Sequence, residues 1–165
     1  MKAEIKGSAA FAYLDVELDE GETITTESDA MSSMDADLDL TAQFNGGFFT
    51  GLARKFFGGE TLFISKFTNN VTGTRRLTLV QPTPGEVKCI ELNGDSFCLQ
   101  PGAFLACTDG IDLGVRWAGF TSFIAREGLF KLEVSGNGKL WYGAYGALLE
   151  REIDGEYIID TSHIV

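Results

Sequence analysis

The sequence predicts an all-β fold: a double-stranded β-helix or sandwich of repeated modules with pseudo-threefold character. Three observations predict it. Apolar and polar residues alternate with a period of two over most of the chain, turn-forming residues recur at short intervals, and a glycine-acid corner returns three times. With 165 residues, 44% hydrophobic and 22% charged, the chain is long enough for one sizeable core and short for two. Twenty glycines against three prolines point to tight turns rather than disorder. A single β domain over 1–165 is therefore expected.

The elements follow in chain order. Leu14, Val16 and Leu18 alternate with Asp15, Glu17 and Asp19, the pattern of a strand with one face in the core. Phe63, Ser65 and Phe67 repeat it, as do Leu77 and Leu79. Farther along, Phe130, Leu132 and Val134 alternate with Lys131 and Glu133. Turn chemistry separates these runs at Asn69-Asn70, Pro82-Thr83-Pro84-Gly85, Asn93-Gly94, Asp109-Gly110 and Gly136-Asn137-Gly138. The last of these, continuing to Lys139, is expected to be a hairpin turn between Phe130–Val134 and Leu140–Tyr142. One segment breaks the period. From Gly47 to Phe57 apolar residues fall at 48, 52 and 56 and at 49, 53 and 57, so one short helix is expected near 48–57.

Sliding the chain by 73 residues lays Gly21-Glu22-Thr23-Ile24 on Gly94-Asp95-Ser96-Phe97, Ala30 on Ala103 and Asp39-Leu40 on Asp112-Leu113. A slide of 61 carries Gly94-Asp95-Ser96-Phe97 onto Gly155-Glu156-Tyr157-Ile158. The shared pattern reads as a turn whose glycine takes a positive φ, closed by the acid and left by a strand. Repeat turns are thus expected at Gly21 and Glu22, Gly94 and Asp95, and Gly155 and Glu156. They divide the chain into modules of about 8–60, 61–118 and 119–165, the third ending short. Its missing strand leaves an open edge that favours self-association.

The net charge of −11 is concentrated at the front, with eleven acids and two lysines in residues 1–40. A body this acidic is a poor match for a polyphosphate, so no nucleic-acid partner is expected. Residues 41–90 carry a local excess of cations, among them Arg54, Lys55, Lys66, Arg75, Arg76 and Lys88, expected to pair with the acidic first module or a neighbouring subunit. Cys89, Cys98 and Cys107 lack metal-ligand spacing and sit in apolar runs, so they are expected to be reduced packing residues; no metal or cofactor is expected. No apolar stretch is long enough for a helical membrane span, and the residues from Met1 to Gly7 do not form a secretory leader, which makes a cytoplasmic address the expectation.

Asp160, Ser162 and His163 contain the residue types of a hydrolase, but on a strand Ser162 and His163 would face opposite ways. A structural histidine and no catalytic residue are expected there. Asp35, Asp37 and Asp39 open like a calcium loop whose remaining positions are absent, and read as solvated acids. The candidate interaction surface is the amphipathic segment of Phe48, Phe49, Arg54, Lys55, Phe56 and Phe57, which either plugs the open end of the β-helix or meets a protein partner or a membrane interface.

Leu18-x-x-Gly21-Glu22, Ala30-Met31, Gly58-Gly59-Glu60-x-Leu62-Phe63, Pro84-Gly85, Gln100-x-Gly102-Ala103-Phe104-Leu105-Ala106, Gly136-x-Gly138 and Asp160-x-x-His163-Ile164-Val165 together resemble the bacterial relatives of the altered inheritance of mitochondria protein 24 family. The resemblance covers about Phe11 to Val165. It implies a fold related to the tryptophan RNA-binding attenuation protein, without that protein's ligands, and a link in mitochondrial members to inner-membrane organisation. The expected function is a non-enzymatic, self-associating scaffold or binding module, a homo-oligomer that meets a protein partner or the membrane periphery. The competing expectation is a small-ligand or metal-binding β-barrel, or an enzyme, with its site inside the β-helix; one histidine argues against the metal form.

Overall fold

Alternating side chains need a sheet with one buried face, and two curled sheets supply it. The computed structural model of the chain describes residues 1–7, 10–44, 63–117 and 130–165. Among these lie eleven strands: β1 (Lys2–Lys6), β2 (Tyr13–Leu18), β3 (Thr23–Glu27), β4 (Met31–Met34), β5 (Asp39–Phe44), β6 (Phe63–Thr68), β7 (Arg75–Val80), β8 (Gly85–Leu99), β9 (Phe104–Thr108), β10 (Ile111–Trp117) and β11 (Phe130–Tyr145). Two short 3-10 turns occupy Pro101–Ala103 and Thr161–His163. One sheet runs β1-β2-β7-β4; the other runs β10-β11-β9-β3-β6-β5, with β8 along the other side of β11. The protein is thus nearly all β, and its curled sheets form a half-barrel. The expected helix near 48–57 lies outside the described residues.

The period-two runs fill the core. Leu14, Val16 and Leu18 of β2 are fully buried, as are Leu77 and Leu79 of β7, with which β2 pairs from Tyr13↔Val80 to Leu18↔Arg75. These side chains pack with Trp141 in one cluster; Leu99, Phe104, Leu132, Val134 and Leu140 belong to a second. Each such side chain contributes about 1.5–3 kcal/mol on burial.

Polar links lock the ends of the strands. Asn69 is fully buried just after β6, and its Nδ2 donates to the carbonyls of Leu18 (2.9 Å) and Gly73 (2.7 Å). Its Oδ1 accepts from the Val71 amide at 3.0 Å. Its backbone bonds the β2–β3 corner, donating to Glu22 O at 3.0 Å and accepting from Gly21 N at 2.7 Å. A residue read from sequence only as turn punctuation therefore ties two turns together.

Two expected turns are instead bends inside long strands. Asn93-Gly94 lies within the fifteen-residue β8, and Gly136-Asn137-Gly138-Lys139 lies within the sixteen-residue β11. The two places meet: β8 and β11 pair antiparallel with Asn137 opposite Asn93, and the register shifts between Ser135 and Asn137. Both strands bend together there, as strands do at barrel corners. Glycine is required because the Asp109-Gly110 turn presses on the bend. A Cβ on Gly136 (φ +121) would stand 2.2 Å from the Gly110 carbonyl oxygen, and one on Gly138 (φ +153) 2.3 Å from Thr108 Oγ1. Local sequence signals a turn; the neighbouring chain makes it a shared corner.

Candidate interaction surface

The end of β11 is held firmly before the chain leaves the sheet. Gly146, in the left-handed region at φ +78, makes a parallel bridge with Gly85; its amide donates to Pro84 O at 3.1 Å and its carbonyl accepts from Glu86 N at 2.8 Å. The Leu148 amide then donates to Glu86 Oε2 at 2.8 Å, and Leu148 packs against the second core cluster. Val165 packs against the same cluster, so the segment between them is anchored at both ends.

Between the anchors the chain keeps the alternation of a half-buried strand while lying in no ladder among the described residues. Leu149, Ile153, Tyr157 and Ile159 fall on one parity, with Arg151 and Gly155 among them, and Glu150, Glu152, Asp154, Glu156 and Asp160 on the other, with Ile158. Nothing described covers the apolar row: Leu149 is 81% exposed, Ile153 60%, Tyr157 56% and Ile159 48%, with Ile158 at 98% and Tyr145 at 79% near its ends. A monomer's isolated surface leucine is ordinary, whereas several large apolar side chains exposed along one short segment make it a candidate contact surface. The sequence alone carries this pattern, as it does the amphipathic pattern of the 48–57 segment.

That segment's Phe48, Phe49, Arg54, Lys55, Phe56 and Phe57 lie outside the described residues. The three repeat glycines all have positive φ, +82 at Gly21, +88 at Gly94 and +86 at Gly155, in three settings: the β2–β3 turn, the bend of β8 and the exposed C-terminal segment. Glu22 closes its turn, its Oε2 accepting from the Asp19 amide at 2.7 Å. Asp95 and Glu156 are exposed.

The Asp160–His163 region departs from expectation. It forms a 3-10 turn rather than a strand, which brings Ser162 Oγ within 3.0 Å of His163 Nδ1 and 2.6 Å of Asp160 Oδ1. The missing contact predicted from strand geometry is therefore present. The order of the chain of bonds is not that of a hydrolase, because the hydroxyl rather than the imidazole sits between the other two groups. Bonds from the Ser162 hydroxyl and amide hold the Asp160 carboxyl below its ordinary pKa. The group is exposed and caps a turn.

Cysteine burial also differs from a uniform packing role. Cys107 is buried, and desolvation pushes its thiol up to about 12; Cys98 is half-buried; Cys89 is exposed on β8. Cys89 falls on the parity of Glu91 and Asn93, which the outer part of β8 turns to solvent. Among the acids, Asp35 Oδ2 accepts from the Arg76 amide at 2.8 Å, Asp37 meets Arg75 at 3.2 Å and Asp39 accepts from Asn70 at 3.2 Å, so these three fasten the β4–β5 corner to its neighbours. Arg76 reaches Glu17 at 3.6 Å and Lys66 reaches Asp109 at 3.5 Å. Among the described residues no group of three or more His, Cys, Asp or Glu side chains is placed to hold a metal, and no helix is long and apolar enough to cross a membrane.

Comparison with known proteins agrees with this architecture. The crystal structure of protein SPYM3_0169 from Streptococcus pyogenes superposes with a TM-score of 0.68 at 23% identity, covering 88% of this chain and 65% of that one. The chain thus spans about two thirds of that protein's length. An uncharacterized protein of Streptococcus pyogenes serotype M6 is 26% identical over 174 residues, which take in all of this chain and 69% of the relative. The family described as Mitochondrial biogenesis AIM24 matches residues 3–165, and the chain therefore belongs to the AIM24 family.

Proposed function

We propose that this protein acts through contact rather than reaction, as a self-associating scaffold or binding module of the cytoplasm, with a role in organising membranes suggested by the family's mitochondrial connection. The observation that carries the reading is the exposed apolar row from Leu149 to Ile159, more apolar surface than a solitary globular domain ordinarily leaves bare. In the same reading the half-barrel belongs to a double-stranded β-helix of repeated, pseudo-threefold modules, related to the attenuation-protein fold. Support comes from the slide of 73, which carries β4 onto 104–107, inside β9, and β5 onto 112–117, inside β10.

Sedimentation velocity over a hundredfold range of protein concentration tests the proposal. A sedimentation coefficient that rises with concentration is the expected result. A monomer throughout, with or without added salt, refutes self-association.

A further inference from the structure

A strand pattern outside any sheet calls for an edge, and the fold leaves several open. Among the described residues, β1 and β4 end one sheet, while β5, β10 and β8 each have an outer side without a ladder partner. The apolar row from Leu149 to Ile159 is eleven residues long. β1 has five residues, β4 four, β5 six and β10 seven. β8 has fifteen, of which only Gly85 and Glu86 spend their outer groups, on Ala12 and Gly146. Val87 to Leu99 is the one described edge long enough to receive the whole row.

We propose, resting on the self-association just argued, that the segment Leu149–Ile159 of one copy adds as a strand to the free edge of β8 in a second copy, reciprocally about a two-fold axis. The anchors at Leu148 and Val165 hold both ends of the segment on its own molecule, while the residues between them lie in no ladder with its own β8. Strand addition satisfies backbone groups on both partners, and a two-fold axis makes the exchange closed, so each copy gives one segment and accepts one. The area is sufficient. The segment's five large apolar side chains at roughly 100 Å² each present about 500 Å² per copy. Counting both copies and the surfaces they cover, the exchange exceeds the ~1,600 Å² of a standard stable interface. The internal repeat favours the same pairing independently of area. The slide of 73 lays β7 on 148–153 and β2 on 86–91 of β8, and β7 is the ladder partner of β2 along its full length.

Charge gives the exchange a signature. Each copy carries −11, and the acids between the apolar residues of the segment come near Glu91 and Asp95 of the receiving strand. Like charges oppose the contact and salt screens them, so association tightens as sodium chloride is added. A partner held by opposite charges would show the reverse.

Sedimentation velocity and hydrogen exchange read by mass spectrometry test the proposal on the full chain, comparing wild type with Ile153→Asp/Tyr157→Asp and with Phe11→Asp, an exposed site off the segment. Wild type and Phe11→Asp are expected to associate alike, and the double variant at least about a hundredfold more weakly. Amides of 87–99 are expected to slow in exchange as wild type associates, and to return to monomer rates on dilution. Association of the double variant equal to wild type, or exchange in 87–99 that ignores association, overturns the exchange of strands while leaving self-association standing. A wild-type monomer at every concentration and salt overturns both. Should the double variant misfold, the salt dependence and exchange of wild type alone decide.

Discussion

Replacing the fully buried Asn69 by alanine removes three hydrogen bonds at once. The side chain donates to Leu18 O and Gly73 O and accepts from Val71 N, at 2.9, 2.7 and 3.0 Å. Each bond contributes about 1 kcal/mol net, so the expected loss is about 3 kcal/mol. For a domain of this size that lowers the melting temperature by roughly 6–12 °C. Asn70→Ala is the internal control: its one exposed bond to Asp39 predicts a change within about 0.5 kcal/mol. Asn69→Asp separates donor loss from shape. It keeps the acceptor for Val71 but aims a buried carboxylate at two carbonyl oxygens. The folded state then holds the proton more tightly than the unfolded chain, so the deficit is smallest at acid pH and grows as pH rises through the carboxyl's raised pKa. Urea denaturation followed by tryptophan fluorescence at one protein concentration measures all three. Asn69→Ala and Asn70→Ala of equal stability would refute the assignment of Asn69 as the link between the two turns.

Two further predictions follow from the β8–β11 corner and from the buried thiol. Gly136→Ala combines a positive φ with a Cβ 2.2 Å from Gly110 O, whereas Gly94→Ala meets only the φ of +88 in open space. In thermal melts Gly136→Ala is therefore expected to lose about 3 kcal/mol or more and Gly94→Ala about 1 kcal/mol. Cys107, with its thiol pushed from 9.0 up to about 12, keeps its proton in the folded state after the unfolded chain has lost its own. Stability from this thiol is complete below pH 9 and lost as pH rises toward 12. Denaturation series across that range should fall less steeply for Cys107→Ala, and a thiol reagent should reach exposed Cys89 in the native protein before Cys107.

What the sequence disclosed was whatever depends on near neighbours. The alternation at Leu14, Val16 and Leu18 and at Leu77 and Leu79 identifies buried faces because burial of a half-covered strand repeats every two residues. Glycine at 136 and 138 was equally visible, but its purpose was not, since the atoms that forbid a side chain belong to Gly110 and Thr108, about thirty residues back in the chain. Asn-Gly and Gly-x-Gly carry turn chemistry whether the chain reverses there or bends beside a partner. The same reason hides the Asp160–His163 turn: strand parity separates Ser162 from His163, and only the tight 3-10 winding brings them to 3.0 Å. Cys89 escaped because an apolar neighbourhood in sequence does not say which face of an edge strand is covered.

The distribution of acids separates the two halves of the argument about function. At the front of the chain, Asp15, Glu17, Asp35 and Asp37 meet Lys6, Arg76, the Arg76 amide and Arg75, and so serve to fasten strands. In the C-terminal segment Glu150, Glu152, Asp154 and Glu156 instead interrupt an exposed apolar row at every second position. An uncharged strand of that composition would add to any open edge and go on adding. Carboxylates between the apolar residues make stacking of one such segment on another repulsive, since in antiparallel pairing about Gly155 Asp154 falls opposite Glu156 and Glu150 opposite Asp160. Under the proposed exchange, the charges leave one economical outcome, a segment seated on a different edge within a closed pair of molecules, and they do so by raising the cost of endless growth rather than by strengthening the contact itself.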